Sequence, residues 1–139
     1  MIELQDYERQ IEPDLPPGSS IVDSYVEYTM AHCRTSDGTI FVAEVDGRVT
    51  GYVNILTRME PDDPADPIVH AFILDLIVLP AYRGQGFGRA LMEHAERHAR
   101  QAGASILRVG VLARNQIAHQ LYLESGFSER YVELSKSLD

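Results

Sequence analysis

Between Leu79 and Ala90 the chain reads Pro80-Ala81-Tyr82-Arg83-Gly84-Gln85-Gly86-Phe87-Gly88-Arg89, a run built to expose main chain. Glycines placed between a strand and a helix leave backbone N–H groups free to point at an anion. The start of the helix adds partial positive charge, and the two together make a cradle for a pyrophosphate. A Cβ would hold the phosphates away or strain an unusual backbone conformation. Arg83 and Arg89 flank the turn with formal positive charge. A glycine-lined turn with no ligand is the plain structural alternative. Two other phosphate-binding patterns fail on detail. After Gly84 and Gly86, the third glycine of a dinucleotide fingerprint is replaced by Arg89, and no Gly-Lys-Ser/Thr tripeptide of a P-loop occurs.

Other residues could do chemistry singly. Asp75 interrupts an apolar run from Ala71 to Pro80. A carboxylate is expensive to bury unpaired, so Asp75 needs either a role or a partner. His94 and His98 share a helix face, but His-Ala-Glu-Arg-His sets the glutamate one position late for a zinc protease, and no metal site is expected. Cys33 is the sole cysteine, which rules out an internal disulfide, suits a reducing compartment and reads as a packing residue.

The elements that must position these groups follow from periodicity and breakers. Pro16-Pro17-Gly18 ends any early element, and apolar spacing predicts a helix from Ser19 to about His32. Two β-rich runs, 41–45 and 49–55, surround Asp46-Gly47-Arg48 and predict a hairpin. An acidic, proline-broken loop covers 59–67, and a buried strand runs from His70 to Leu79. After the glycine turn, a helix carries Ala90, Leu91, Ala95, Ala99 and Ala102 inward and stops at Gly103. Arg89–Glu93, Glu93–Arg97 and Glu96–Arg100 are expected as i,i+4 pairs on its wet side. A strand at Ile106–Leu112, a helix from about Asn115 to Ser125 and a last strand at Tyr131–Leu134 complete the order. This is an α/β (α+β) mixed-sheet fold in one domain, 1–139.

Composition narrows the functions. The chain has 139 residues, apolar content of 45% and charged content of 24%, ordinary values for one globular domain. Net charge is −9, with 14 acidic and 4 basic side chains in residues 1–66 against 7 and 8 in residues 67–139. Nucleic acid is an unsuitable partner for such a balance, while an acidic half attracts cations or simply keeps the surface solvated. No apolar stretch is long enough to span a bilayer, and no signal-peptide segment is evident, so a cytoplasmic protein is expected.

Arg83-Gly84-Gln85-Gly86-Phe87-Gly88 resembles the Arg/Gln-x-x-Gly-x-Gly/Ala pyrophosphate motif of GNAT-type (GCN5-related) N-acetyltransferases. Asn115-Gln116-Ile117-Ala118-His119-Gln120-Leu121-Tyr122-Leu123-Glu124-Ser125-Gly126-Phe127 is similar to that family's second signature, Asn-x-x-Ala-x-x-Leu-Tyr-x-x-x-Gly-Phe. With the hairpin, the likeness covers roughly residues 40 to 134. The resemblance implies two parallel strands, 70–79 and 106–112, that splay around the pantetheine arm of acetyl-CoA, the co-substrate. Backbone groups of Leu76, Ile77 and Val78 would pair with that arm, and the amides of Gly84, Gln85, Gly86, Phe87, Gly88 and Arg89 would hold the pyrophosphate. Asn115 would contact the arm, and Tyr122 would be the general acid that protonates the departing thiolate. Read without the motif, Tyr122 is a core aromatic at helical spacing.

The implied activity is direct transfer of an acetyl group to a primary amine of a small molecule or protein. Its general base stays open. Positions where relatives carry a titrating group hold Phe72, Leu74 and Gly110 here, which leaves Asp75, His70 and Glu60, or a water chain. Strand alternation puts His70 on the face of Leu74 and Leu76, with Asp75 on the other unless a bulge re-aims it. The absent base also allows a non-catalytic acyl-CoA sensor, or a scaffold for protein interaction. Acidic loop 60–66 allows a cationic acceptor such as a polyamine, aminoglycoside-like compound or protein amine, and the protein could be a monomer or homodimer.

Overall fold

Asp46 and Gly47 adopt left-handed backbone angles, φ 50° and 78°, and fold β1 (Gly38–Val45) back onto β2 (Arg48–Met59) as an antiparallel hairpin. The computed structural model describes all residues, Met1–Asp139. β3 (His70–Val78) runs antiparallel to β2, and β4 (Leu107–Val109) runs parallel to β3, giving the order β1-β2-β3-β4. Helices α1 (Ile2–Ile11) and α2 (Gly18–Thr35) precede the sheet. A 3-10 turn, Pro80–Tyr82, leads through the glycine run into α3 (Phe87–Gln101), and α4 (Gln116–Glu124) follows β4. The mixed α/β sheet expected from the sequence is therefore present. None of the helices is long and apolar enough to cross a membrane.

Alternation along β2 decides which helix covers which face. Val53 and Ile55 join Ala71, Ile73, Leu91, Met92, Ala95 and Ala99 in the buried cluster beneath α3. Asn54, between them, meets Cys33 of α2 on the opposite face, Sγ to Oδ1 at 3.6 Å. Val53, Ile55, Ile73 and Met92 are essentially inaccessible, at 0–1% exposure. Each such side chain contributes roughly 1.5–3 kcal/mol of burial. The central strands are thus the rigid floor on which the loops are mounted.

Three expectations need correction, and one element, α1, was not read from the sequence; it buries no residue of its own. The strand expected at Tyr131–Leu134 does not form: Tyr131, Val132 and Leu134 are 75%, 73% and 88% exposed. β-propensity makes a strand only beside a partner edge, and three-residue β4 offers a short one. The strand expected at Ile106–Leu112 shrinks to that same three-residue ladder. On α3, Glu96–Arg100 forms, but Arg89 reaches Glu124 and Arg97 meets His94 in place of Glu93.

Candidate functional site

The parallel pairing of β3 and β4 lasts for three residue pairs, Ala71–Leu107, Phe72–Arg108 and Ile73–Val109. Beyond them the strands part. The cause lies on the other side of β3, where Asn54 faces Asp75 and Ile55 faces Ile73, so Leu74 is an extra residue without a partner on β2. Such a bulge bends a strand and increases its twist. It also reverses the alternation: Ala71 and Ile73 belong to the cluster under α3, but past the bulge Leu76 and Val78 pack against it instead. Asp75 turns to α2, where Tyr25 Oη donates to Asp75 Oδ1 at 2.6 Å.

The parted strands enclose a cavity of about 70 Å³. Its walls are residues 73–76, residues 109–111, and Asn115, Ala118 and Tyr122 of α4, and Leu4 and Glu8 of α1 close it. A wider hollow of about 190 Å³ lies between the end of α3 and the start of β4, away from the glycine turn and from every group with a displaced pKa.

Tyr122 is placed by the end of its helix. Phe127 N–H donates to the Tyr122 carbonyl at 3.0 Å, and Gly126 N–H donates to that of Leu123 at 3.1 Å, with Gly126 at φ 92°. This is a Schellman closure, and it packs the Phe127 ring against that of Tyr122 at 5.8 Å. At the other end, Asn115 caps the helix by accepting from Ala118 N–H at 3.3 Å. Its carbonyl oxygen is thus engaged by the helix, and its amide nitrogen is left to meet an arm in the cavity.

Burial dominates the electrostatics. The Tyr122 phenol is pushed up to about 12 by burial and by the nearby charges of Glu8 and Asp75. It therefore stays protonated at neutral pH. Asp75 is 5% exposed, and burial raises its pKa despite the Tyr25 hydrogen bond. Its second oxygen, Oδ2, has no partner, and neither has Nδ2 of Asn54 across the ladder. Burial and then Asp75 raise Glu8, and burial followed by the same carboxylate raises Tyr25 and Tyr52. Two carboxyl groups and several tyrosines thus share one poorly solvated neighbourhood.

The glycine turn lies at the end of β3. Gly84 and Gly86 have φ of 72° and 89°, and a Cβ on either would project into open space. None of the amides from Gly84 to Arg89 donates to a backbone carbonyl. Six consecutive free donors at the start of a 15-residue helix fit an anionic diphosphate. A Cβ at Gly88 would meet Leu121 and Val78 only at ordinary contact distance, 3.5 and 3.9 Å, so packing alone does not demand glycine there. Arg83 Nε ties the turn to the Val78 carbonyl at 2.9 Å.

The structure thus gathers Asp75, Leu76, Asn115 and Tyr122 around one cavity, with the turn 83–89 at the end of the strand that carries Leu76, Ile77 and Val78. His70 lies elsewhere. It sits at the start of β3 opposite Met59, its Nδ1 is 2.9 Å from the Ile68 carbonyl, and it is absent from the cavity wall. Glu60 pairs with Arg58 in solvent, and Asp66 is taken by Arg108 and Arg130, so much of the acidic loop is neutralised internally. His94 and His98 flank the Phe41 ring at 4.4 and 5.0 Å. Glu8, Tyr25 and Tyr52 were missed. Leu4 and Glu8 at i,i+4 could have suggested a helix facing the site, but nothing local says which face that would be.

A splayed parallel pair, a strand bulge and a bare amide turn at a helix start define a site for an extended, diphosphate-bearing ligand. The family model of the acetyltransferase (GNAT) family matches residues 4–127, and the chain belongs to that family. It is 38% identical over 66 residues to the aminoalkylphosphonate N-acetyltransferase of Salmonella typhimurium, 48% of this chain and 43% of that one. The chain spans less than half the length of that relative. Among solved structures, a putative acetyl transferase from Pyrococcus furiosus superposes with TM-score 0.75 at 26% identity, over 98% of this chain and 92% of its own. An aminoglycoside acetyltransferase in complex with a coenzyme A bisubstrate analogue shares the fold, with TM-score 0.64 and 21% identity over 94% and 86%.

Proposed function

We propose that the protein transfers an acetyl group from acetyl-CoA directly to a primary amine. The observation that carries this reading is the run of six unpaired amides, Gly84 to Arg89, leading into a splay that holds Tyr122. The diphosphate would sit on those amides, and the pantetheine arm would run between β3 and the segment after β4. Backbone groups of Leu76 and the Val78 N–H, which face away from β2, would meet it, as would the Asn115 amide nitrogen; the Val78 carbonyl is taken by Arg83.

The amine nitrogen attacks the thioester carbonyl carbon, an amide bond forms and the C–S bond breaks. Main-chain N–H near Leu76 stabilises the charge that develops on oxygen, where a fixed donor in a dry site is most effective. Tyr122 Oη donates to the departing sulfur. A phenol near 12 is a weaker acid than a thiol, whose ordinary value is about 8.5, so this bond stabilises the thiolate more than it surrenders the proton. Asp75, with a free oxygen and a raised pKa, accepts the proton from the attacking nitrogen and is the base of choice over His70. Holding both reactants side by side supplies the proximity contribution.

A cytoplasmic location suits the single free cysteine. The non-catalytic sensor is disfavoured because Tyr122 and Asp75 line the cavity in which the arm would lie. Isothermal titration with acetyl-CoA, followed by thiol release across a panel of amines, tests the whole reading. Micromolar binding and amine-dependent release are expected; no heat of association would overturn it.

A further inference from the structure

Resting on that reading, we infer that the acceptor is a diamine or polyamine carrying no anionic group, with its reacting nitrogen at Asp75 and a second ammonium at Glu8. Asp75 is 5% exposed and belongs to the cavity wall, and its Oδ2, closed off from solvent, has no hydrogen-bond partner within the protein. Glu8 reaches the same cavity from α1, a separate element held over it by the Asp6 carboxylate, which accepts from Gly18 N–H at 2.8 Å. Close docking of α1 is enforced at Gly18, where a Cβ would stand 2.6 Å from the Ile2 carbonyl oxygen.

What is missing from the wall matters equally. No lysine, arginine or histidine side chain lines the cavity. A carboxylate or phosphonate on the acceptor would therefore enter a poorly solvated space beside two carboxyl groups with no side-chain cation to receive it. A second ammonium finds a charge-assisted hydrogen bond there instead. The reacting nitrogen gives its proton to Asp75, while the distal nitrogen stays protonated and is held.

Matched four-carbon acceptors separate these demands: putrescine, n-butylamine and γ-aminobutyrate, assayed by thiol release and product mass. We expect kcat/KM for putrescine to exceed that for butylamine roughly tenfold, the scale of one charge-assisted bond in a half-buried site, and γ-aminobutyrate to be the poorest. Glu8→Gln should lower the putrescine-to-butylamine ratio roughly tenfold, mainly through KM. Glu3→Gln, on the exposed side of α1, should leave that ratio alone; an equal change in both variants would mean that surface charge, not a seat at Glu8, does the selecting. A preference for γ-aminobutyrate, or an undisturbed ratio in Glu8→Gln, overturns the inference. If none of the three amines reacts, calorimetry of putrescine with the CoA-bound protein decides, and an absence of binding overturns it. Acetyl-CoA binding measured in parallel remains intact in all these cases, and its loss alone would strike at the acetyl-transfer reading.

Discussion

At Asp75 one side chain is asked to do two things that conflict. A buried carboxyl with a free oxygen is a good proton acceptor, and it is also a liability to the fold. Its folded pKa lies above the unfolded value because burial disfavours the charge. The native state therefore binds the proton more tightly, and this stability is complete below about pH 4 and lost as pH rises through the raised value. Asp75→Asn should thus melt a few degrees higher than the parent at pH 8, gain little at pH 4, and lose most of its turnover. The asparagine carbonyl can still accept from Tyr25, which keeps the comparison clean. Melting curves at both values check the sign. Tyr122→Phe makes the complementary case. Its ring contact with Phe127 survives, so stability and acetyl-CoA affinity should hardly move. Turnover should fall roughly 10-fold to 100-fold if the hydroxyl serves the leaving sulfur, and pre-steady-state thiol release would report it.

Among the elements, the bulge in β3 and the turn before α3 carry the function between them. The bulge parts the strands and re-aims Asp75; the turn presents donors. Gly86 is the N-cap of α3 with φ 89° and no side-chain cap. Gly86→Ala would place a residue with a Cβ in a left-handed conformation, which costs about 1–2 kcal/mol. The methyl would also stand in open space above the amides, where the diphosphate is expected. Affinity for acetyl-CoA should therefore fall at least roughly tenfold, more than the melting shift alone would suggest. Calorimetry beside thermal melting separates the two effects.

For the whole molecule, Asp66 acts as a hub. It accepts two bonds from Arg108 of β4, at 2.7 and 3.0 Å, and one from Arg130 beyond α4 at 2.8 Å. The Arg108 hydrogen bond holds the Asp66 carboxyl below the usual range. Its contribution is accordingly present at neutral pH and lost as pH falls through that lowered value. Asp66→Asn should lower the melting temperature by several degrees at pH 7, because Arg108, only 16% exposed along its side chain, loses its charged partner and one of its two acceptor oxygens. Glu60→Gln, breaking an exposed pair with Arg58, should change it little. Equal melting shifts in the two would show that the hub does not hold the edge strand.

The sequence by itself determined whatever rests on local chemistry. The hairpin at Asp46-Gly47, the glycine turn, the helix that follows it and the Gly126 closure beneath Tyr122 are all legible, because positive φ and helix termination depend on neighbours in the chain. The family likeness was legible for the same reason. Contacts between distant segments were decided only in three dimensions. No spacing rule brings Tyr25 to Asp75 across 50 positions, sets Glu8 near Asp75, removes His70 from the site or denies Tyr131–Leu134 a partner strand. A bulge at Leu74 moves a side chain from one face to the other, and its signal lies in the register with β2, which the linear pattern does not contain.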